Sequence, residues 1–179
     1  MLIAAAASPV SADAEDTGER AQAQRIVPVF DCYRTNSAWG FTLSGKVIDA
    51  DGNIYSYGRR GKGWLATPVK EQDATYYSEA DLLDKFAGAR RSGSVDAAAL
   101  VENTQLIEAA RSGKLSIVDG GARDAGYSGC HAYVRDASHA RYRDVDLGSD
   151  GGVTDMHTTS DAPAATQLLH WLQSVGVAQ

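Results

Sequence analysis

The chain has 179 residues, of which 44% are hydrophobic and 22% are charged, enough apolar side chains for one core of ordinary size. Its formal net charge of -6 at pH 7 disfavours general DNA or RNA binding, because phosphate neutralisation needs a surplus of Lys and Arg. An acidic chain of this kind suits either a basic partner or simple solubility.

The N-terminal sequence predicts export. Residues 1–14, MLIAAAASPVSADA, are small and apolar and end in an A-x-A-like cleavage sequence, although the cationic start of a signal peptide is missing. An ordinary disordered N-terminus is the alternative. Residues 15–24 are polar without apolar periodicity and indicate a flexible linker, so the folded domain is expected at 25–179. No stretch approaches the length of a membrane span, and a periplasmic or secreted location follows.

The first strands are predicted from apolar alternation. Residues 26–33 are rich in β-branched and aromatic side chains, and Pro28 marks them as an edge strand or an irregular strand entry. Residues 39–57 form the clearest hairpin, because apolar and polar side chains alternate with the period of a half-buried strand. Its turn is 49–53, DADGN, in which Gly and Asn tolerate positive φ and Asp can close an Asx turn.

Helices and a second hairpin follow. Apolar stripes and capping residues predict helices at 79–87, where Ser78 and Asp81 form a capping box, at 95–111 after Ser94, and at 161–175 with Pro163 in the first turn. Strands are predicted at 115–118, 131–135 and 140–147. In the last strand Tyr142, Asp144 and Asp146 share one face, which leaves that polar face wet or available to a ligand.

Two cysteines, Cys32 and Cys130, lie at the margins of predicted strands. In an exported protein they are expected to form a disulfide, which would restrict the unfolded chain by roughly 4 to 5 kcal/mol in the loop-entropy model. A reactive Cys130 activated by His131 is the weaker alternative, because adjacent strand residues point to opposite faces. The bridge would make the first and second sheet elements neighbours.

A glycine-rich, basic segment follows the first hairpin. It matches neither phosphate-binding fingerprint, but it is the most basic part of an acidic chain, and Arg and Trp are frequent interface anchors. It is therefore a candidate contact surface for a protein or an anionic polymer, with a solvated loop as the alternative. Its candidate partner-binding residues are Tyr57, Arg59, Arg60, Lys62 and Trp64.

No catalytic or metal-binding motif is evident. The DADGN turn lacks the Gly and Glu positions of a calcium loop, and the four histidines show no ligand spacing. Asp144, Asp146 and Asp150 could surround a cation, although a strand that ends in a Gly-rich turn explains the same residues. Ser128 lacks the serine-hydrolase elbow. We therefore expect no cofactor, no metal and a non-catalytic role.

The segments DAGYSGCHAYVRD, YRDVDLGSDGG and LLHWL, within 115–172, resemble uncharacterised secreted or periplasmic bacterial proteins. That resemblance implies no catalytic residue. Ser128 and Gly129, followed by Tyr133, are similar to the Ser-Gly loop and downstream Tyr of periplasmic lysozyme inhibitors. This second resemblance implies that Ser128 and Tyr133 contact a protein partner, but the long predicted helices depart from those mainly β inhibitors.

The predicted fold is a single α+β domain, in which two antiparallel hairpins form a sheet covered on one face by two to three helices. The predicted function is an exported binding protein that inhibits or neutralises a basic partner, such as a cell-wall hydrolase or a toxin. The alternatives are an envelope hydrolase that uses Asp or Glu residues beside the second hairpin and a binding module for an anionic polysaccharide.

Overall fold

The computed structural model describes residues 25–38, 40–61, 63–121, 126–149 and 156–178. The strands are β1 Pro28–Asn36, β2 Phe41–Asp49, β3 Asn53–Gly61, β4 Val69–Glu71, β5 Ala74–Ser78, β6 Arg90–Ser94, β7 Leu115–Val118, β8 Tyr127–Asp136, β9 Arg141–Gly148 and β10 Met156–Ser160. The helices are α1 Glu79–Lys85, α2 Ala97–Thr104, α3 Ile107–Ala110 and α4 Pro163–Ser174.

The predicted α+β fold of two hairpins and covering helices is wrong. Strands make up 47% of the described residues and form one mixed sheet in the order β4-β5-β9-β10-β8-β1-β2-β3-β6, with β7 paired to β10. All pairings are antiparallel except that between β8 and β10. Both predicted hairpins are present as β2–β3 and β8–β9, but they lie within a larger, β-rich sheet.

The strands absent from the prediction are β4, β5, β6 and β10. They have three to five residues each, and β4 and β6 are fully exposed. A short polar strand carries no alternation long enough to stand out, because it forms where a neighbouring strand offers unpaired backbone groups rather than from its own apolar pattern.

Helices cover both faces of the sheet, not one. On the first face α2, α3 and α4 pack over a core that includes Phe30, Ile48, Leu147, Leu168 and Leu172. On the second face α1 packs over a separate cluster whose buried members include Leu43, Val47, Tyr55, Leu82 and Phe86. The alternation of side chains along central strands such as β1 and β8 supplies both clusters, since these strands are buried on both faces.

Capping explains the helix boundaries. The predicted capping box of α1 is present: the Ser78 side chain accepts from the Asp81 N–H and Asp81 accepts from the Ser78 N–H. The helix predicted over 95–111 is instead two short helices, α2 capped by Asp96 rather than Ser94, and α3. No helix among the described residues is long and apolar enough to cross a membrane.

The predicted disulfide is present between Cys32 and Cys130, which are direct partners on the adjacent strands β1 and β8. It therefore ties the first half of the sheet to the second at the centre of the fold, as the sequence led us to expect. Such a bond is compatible with a secreted protein.

Candidate binding site

The second face of the sheet contains a buried ion pair. The Lys85 Nζ atom lies 2.6 Å from the Asp31 Oδ2 atom, and both side chains are at most 1% exposed. Tyr57 donates its hydroxyl to the other Asp31 oxygen at 2.6 Å, and Lys85 donates to the Tyr133 hydroxyl at 3.2 Å. These hydrogen bonds offset the cost of burying two charges, which is several kcal/mol per ion without them.

Aromatic rings surround the Lys85 ammonium group. Its Nζ atom lies 4.2 Å from the centre of the Tyr33 ring and 4.6 Å from that of Trp64. Gly45 provides the space that this packing needs, because a Cβ atom there would lie 2.7 Å from the Tyr57 hydroxyl. The ion pair and its rings thus form a rigid, electrically neutral floor beneath the neighbouring surface.

That neighbouring surface carries two carboxylates among aromatic rings, and we call it the acidic–aromatic face. It is formed by Tyr33 of β1, Tyr77 of β5, Tyr127 and His131 of β8, and Asp144 and Asp146 of β9. Strand register places the β1, β8 and β9 side chains on one side of the sheet, since Asp31 pairs with His131 and Tyr133 with Asp144. Tyr33, Tyr77, Tyr127 and Asp146 are half-buried, whereas the side chains of His131 and Asp144 are only 10% and 9% exposed.

His131 and Asp144 form the face's most buried pair. The His131 Nδ1 atom lies 2.8 Å from Asp144 Oδ1, and the ring stacks on Tyr33 at 5.4 Å between centres. Burial by itself lowers the pKa of the His131 imidazole, but the charge of Asp144 and the hydrogen bond to it outweigh burial and raise that pKa above 6.5. The His131 Nε2 atom is buried without a hydrogen-bond partner among the described residues.

Asp146 is held by backbone and hydroxyl donors. Its Oδ1 atom accepts from the Gly148 N–H at 2.8 Å and from the Thr158 hydroxyl at 3.2 Å. These bonds orient the carboxylate without neutralising it. Among the described residues, no Lys or Arg lies within ion-pair distance of Asp144 or Asp146.

Burial is the main cause of the raised pKa values of the nearby tyrosines, and the carboxylates of the face add to it. Burial, then the charges of Asp144 and Asp146, raise the pKa of Tyr77 to about 12. Burial, followed by repulsion from Tyr127, Asp31 and Asp144, also raises the pKa of Tyr33. Only the smaller, carboxylate part of these shifts indicates a negative local potential, which attracts a cation; the larger part, burial, disfavours charge of either sign.

The groups of the face can attract a cation. Carboxylates attract ammonium and guanidinium groups, and tyrosine rings add a cation–π attraction of about 0.5–1 kcal/mol at exposed sites. His131 oriented by Asp144 resembles half of a general-base arrangement, but no described hydroxyl or thiol hydrogen-bonds to its Nε2 atom. Among the described residues, no group of three His, Cys, Asp or Glu side chains could hold a metal ion.

The structure disperses the candidate residues of the basic segment. Tyr57, Arg59 and Arg60 belong to β3, which continues to Gly61 instead of opening into a loop at Tyr57. Tyr57 is buried on Asp31, Arg59 is paired with Asp84 of α1 at 3.1 Å, and Arg60 is exposed. Lys62 lies outside the described residues.

The remaining candidates lie on both sides of the sheet. Trp64 folds back onto α1, donates to the Asp81 carbonyl at 3.0 Å and contacts Tyr77, so it borders the acidic–aromatic face. Tyr133 is buried against Lys85. Ser128 lies 3.2 Å from the Ser149 hydroxyl, one residue out of phase with the side chains of the face.

Two other aspartates, Asp49 and Asp150, are candidate cation ligands in the sequence. In the DADGN turn the Asp49 carboxylate accepts from the N–H groups of Asp51 and Asn53 and from the Tyr55 hydroxyl, so its oxygens serve the turn. This is the predicted conformational role of that aspartate. Asp150, proposed to join Asp144 and Asp146 around a cation, lies outside the described residues.

The sequence predicted two residues of the acidic–aromatic face but not the buried ion pair beside it. Alternation identified Asp144 and Asp146 as members of a polar face, but Asp31, Lys85 and Tyr33 were not singled out. Asp31 did leave a signal, since a charged residue in the middle of the apolar run IVPVFDCY is unusual unless it is paired. The sequence does not indicate that its partner Lys85 is buried, because a basic residue in the last turn of a helix is common.

No protein-family model, curated protein or solved structure matches this chain. Its function must therefore be inferred from the acidic–aromatic face.

Proposed function

We propose that this protein is an exported, non-catalytic binding protein that captures a basic protein, such as a cell-wall hydrolase or a toxin, and neutralises it. The observation that carries the proposal is the pair Asp144 and Asp146, set among half-buried tyrosines without a Lys or Arg partner in the described part of the chain. A basic side chain of the partner would supply that missing charge.

Rigidity supports the same role. The Cys32–Cys130 disulfide ties β1 to β8, and the Asp31–Lys85 pair fixes α1 against the same strands. A surface held in one conformation loses little entropy on binding, so more of the interaction energy becomes affinity. Tyrosine also suits such a surface, because it offers a large contact area with few rotatable bonds.

The simplest test is a titration with a cationic amino-acid analogue. We expect N-acetyl-L-arginine amide to shift the NMR resonances of Tyr127, His131 and Asp146, and the neutral N-acetyl-L-glutamine amide to leave them unchanged. Asp146→Asn should weaken the arginine response by roughly two- to fivefold, the effect of about 0.5–1 kcal/mol for a partly exposed charge pair.

A matched variant controls for net charge. Glu102→Gln removes one negative charge from the exposed surface of α2, which packs on the opposite side of the sheet, and should leave the arginine titration unchanged. Equal weakening by both variants would mean that only the overall charge matters. Absence of any shift at the face would contradict the proposal, and inhibition of a purified basic lysozyme tests the neutralising role directly.

A further inference from the structure

Strand β7 is an apolar edge of the sheet. Its four residues are all exposed: the exposed fraction is 48% for Leu115, 75% for Ile117 and 38% for Val118. Among the described strands β7 pairs only with β10, so its outer edge has unpaired backbone groups. An exposed, apolar edge strand is a template for another strand, and proteins normally cover or charge such edges.

This edge continues the acidic–aromatic face. Ile117 is the direct partner of Thr158, and directly paired residues project to the same side of a sheet. The Thr158 hydroxyl in turn donates to Asp146, and Met156, 46% exposed, pairs with Tyr127. Apolar side chains therefore border the carboxylates on the same surface, with one strand between them.

We propose that β7 is the docking edge for an extended segment of the basic partner, which adds to the sheet as a further strand. This inference rests on the proposed function and specifies how the partner is held. The backbone of the added segment would pair with the free edge of β7, and alternate apolar side chains would cover Leu115 and Ile117. A basic residue in a flexible tail after the added strand would then cross β7 and β10 to Asp146, about 14 Å from the added strand at the usual strand spacing.

Charge complementarity favours this occupant over a neutral strand. Asp119 follows β7 directly and is exposed, and Asp146 lies beyond Thr158 on the same surface. Exposed Lys114 precedes β7, so the favourable places for a Lys or Arg residue of the incoming segment are the Asp119 end of β7 and Asp146, where an acidic residue would be repelled. The exposed apolar residues of β7 offer a contact surface for a whole strand and not only for a single cationic side chain.

The test uses a synthetic peptide, acetyl-Thr-Val-Thr-Val-Thr-Gly-Gly-Arg-amide, and the full chain. We expect it to shift the backbone amide resonances of residues 115–118 together with those of Tyr127 and Asp146, and to slow hydrogen exchange of the outward-facing β7 amides. Ile117→Lys should weaken binding roughly tenfold, since it removes a buried isoleucine contact and adds a charge that repels the peptide.

A second edge strand supplies the control. Val69, 52% exposed, lies on β4, an edge strand that β9 and β5 separate from β10, so Val69→Lys makes the same kind of change at a different edge and should leave peptide binding unchanged. Equal effects of the two lysine variants, or a peptide that leaves residues 115–118 unperturbed, would overturn the docking edge.

Failure of the docking edge and failure of the cation-binding function give different experimental results. If the peptide binds β7 but neither Asp146→Asn nor replacement of the peptide's terminal Arg by Gln weakens it, the docking edge stands and the cation-binding function does not. If arginine amide shifts the acidic–aromatic face while Ile117→Lys binds the peptide as tightly as the parent chain, the function stands and the docking edge is wrong.

Discussion

Lys85 and Asp31 form an ion pair with 2.6 Å between charged atoms at a depth where neither side chain is more than 1% exposed. The two residues come from α1 and β1, so the pair joins a helix to the central strand beside the disulfide. Removing one partner of such a buried pair lowers the free energy of unfolding strongly, because the other charge is left buried and unpaired. Replacing both partners by neutral residues lowers it much less.

Lys85→Met should therefore lower the free energy of unfolding by about 3–5 kcal/mol, since it leaves Asp31 buried and unpaired. The double variant Asp31→Asn with Lys85→Met should recover a large part of that loss, because the remaining amide is neutral. Urea unfolding followed by tryptophan fluorescence measures both. A double variant less stable than Lys85→Met would show that the charge itself is not the source of the cost.

Gly45→Ala should destabilise the fold by about 1–3 kcal/mol, as overpacked substitutions do. A Cβ atom at Gly45 would lie 2.5 Å from the Cys32 carbonyl oxygen and 2.7 Å from the Tyr57 hydroxyl, and the backbone atom cannot move aside cheaply. Gly93→Ala is the control, because its Cβ atom would make an ordinary 3.6 Å contact with Ile54. Thermal unfolding should give a clearly lower midpoint temperature for Gly45→Ala than for Gly93→Ala.

The His131–Asp144 pair should make stability depend on pH. The pKa of His131 is raised above its unfolded value of 6.5, so the folded state binds the proton more tightly. The resulting stabilisation is fully present below pH 6.5 and is lost as the pH rises through the folded pKa. The difference in unfolding free energy between the parent chain and His131→Gln should therefore shrink from mildly acidic to mildly alkaline pH.

NMR titration of the His131 ring checks the raised pKa directly. Asp144→Asn should bring the midpoint down, because the charge of Asp144 is what overcomes the effect of burial. A midpoint that does not move in this variant would remove the basis of the expected pH dependence.

Alkaline pH should unfold the protein through three tyrosines, of which Tyr57 and Tyr133 are buried and Tyr33 is half-buried. Burial and nearby carboxylates raise the pKa values of Tyr33, Tyr57 and Tyr133 above the ordinary 10.0. A raised pKa means that the neutral form stabilises the fold below pH 10 and that this stability is lost at higher pH. Ultraviolet titration should show these tyrosines ionising only as the chain unfolds, and Tyr33→Phe should move unfolding to higher pH.

Local signals identified several elements correctly from the sequence. The β2–β3 hairpin, the capping box of α1 and the Asp49 turn depend on neighbouring residues, so alternation and residue type were enough to predict them. The Cys32–Cys130 disulfide could be predicted because two cysteines offer one pairing and the N-terminal sequence led us to expect export. The polar alternation of β9 also identified Asp144 and Asp146 in advance.

Only the tertiary structure decided the extent of the sheet and the centre of the site. β5 and β10 are short strands stabilised by partners far along the chain, and β10 pairs with three others. Lys85 becomes a buried partner of Asp31 only when α1 packs on the second face of the sheet. Such pairings depend on long-range closure of the chain, and the local composition of either partner does not encode them.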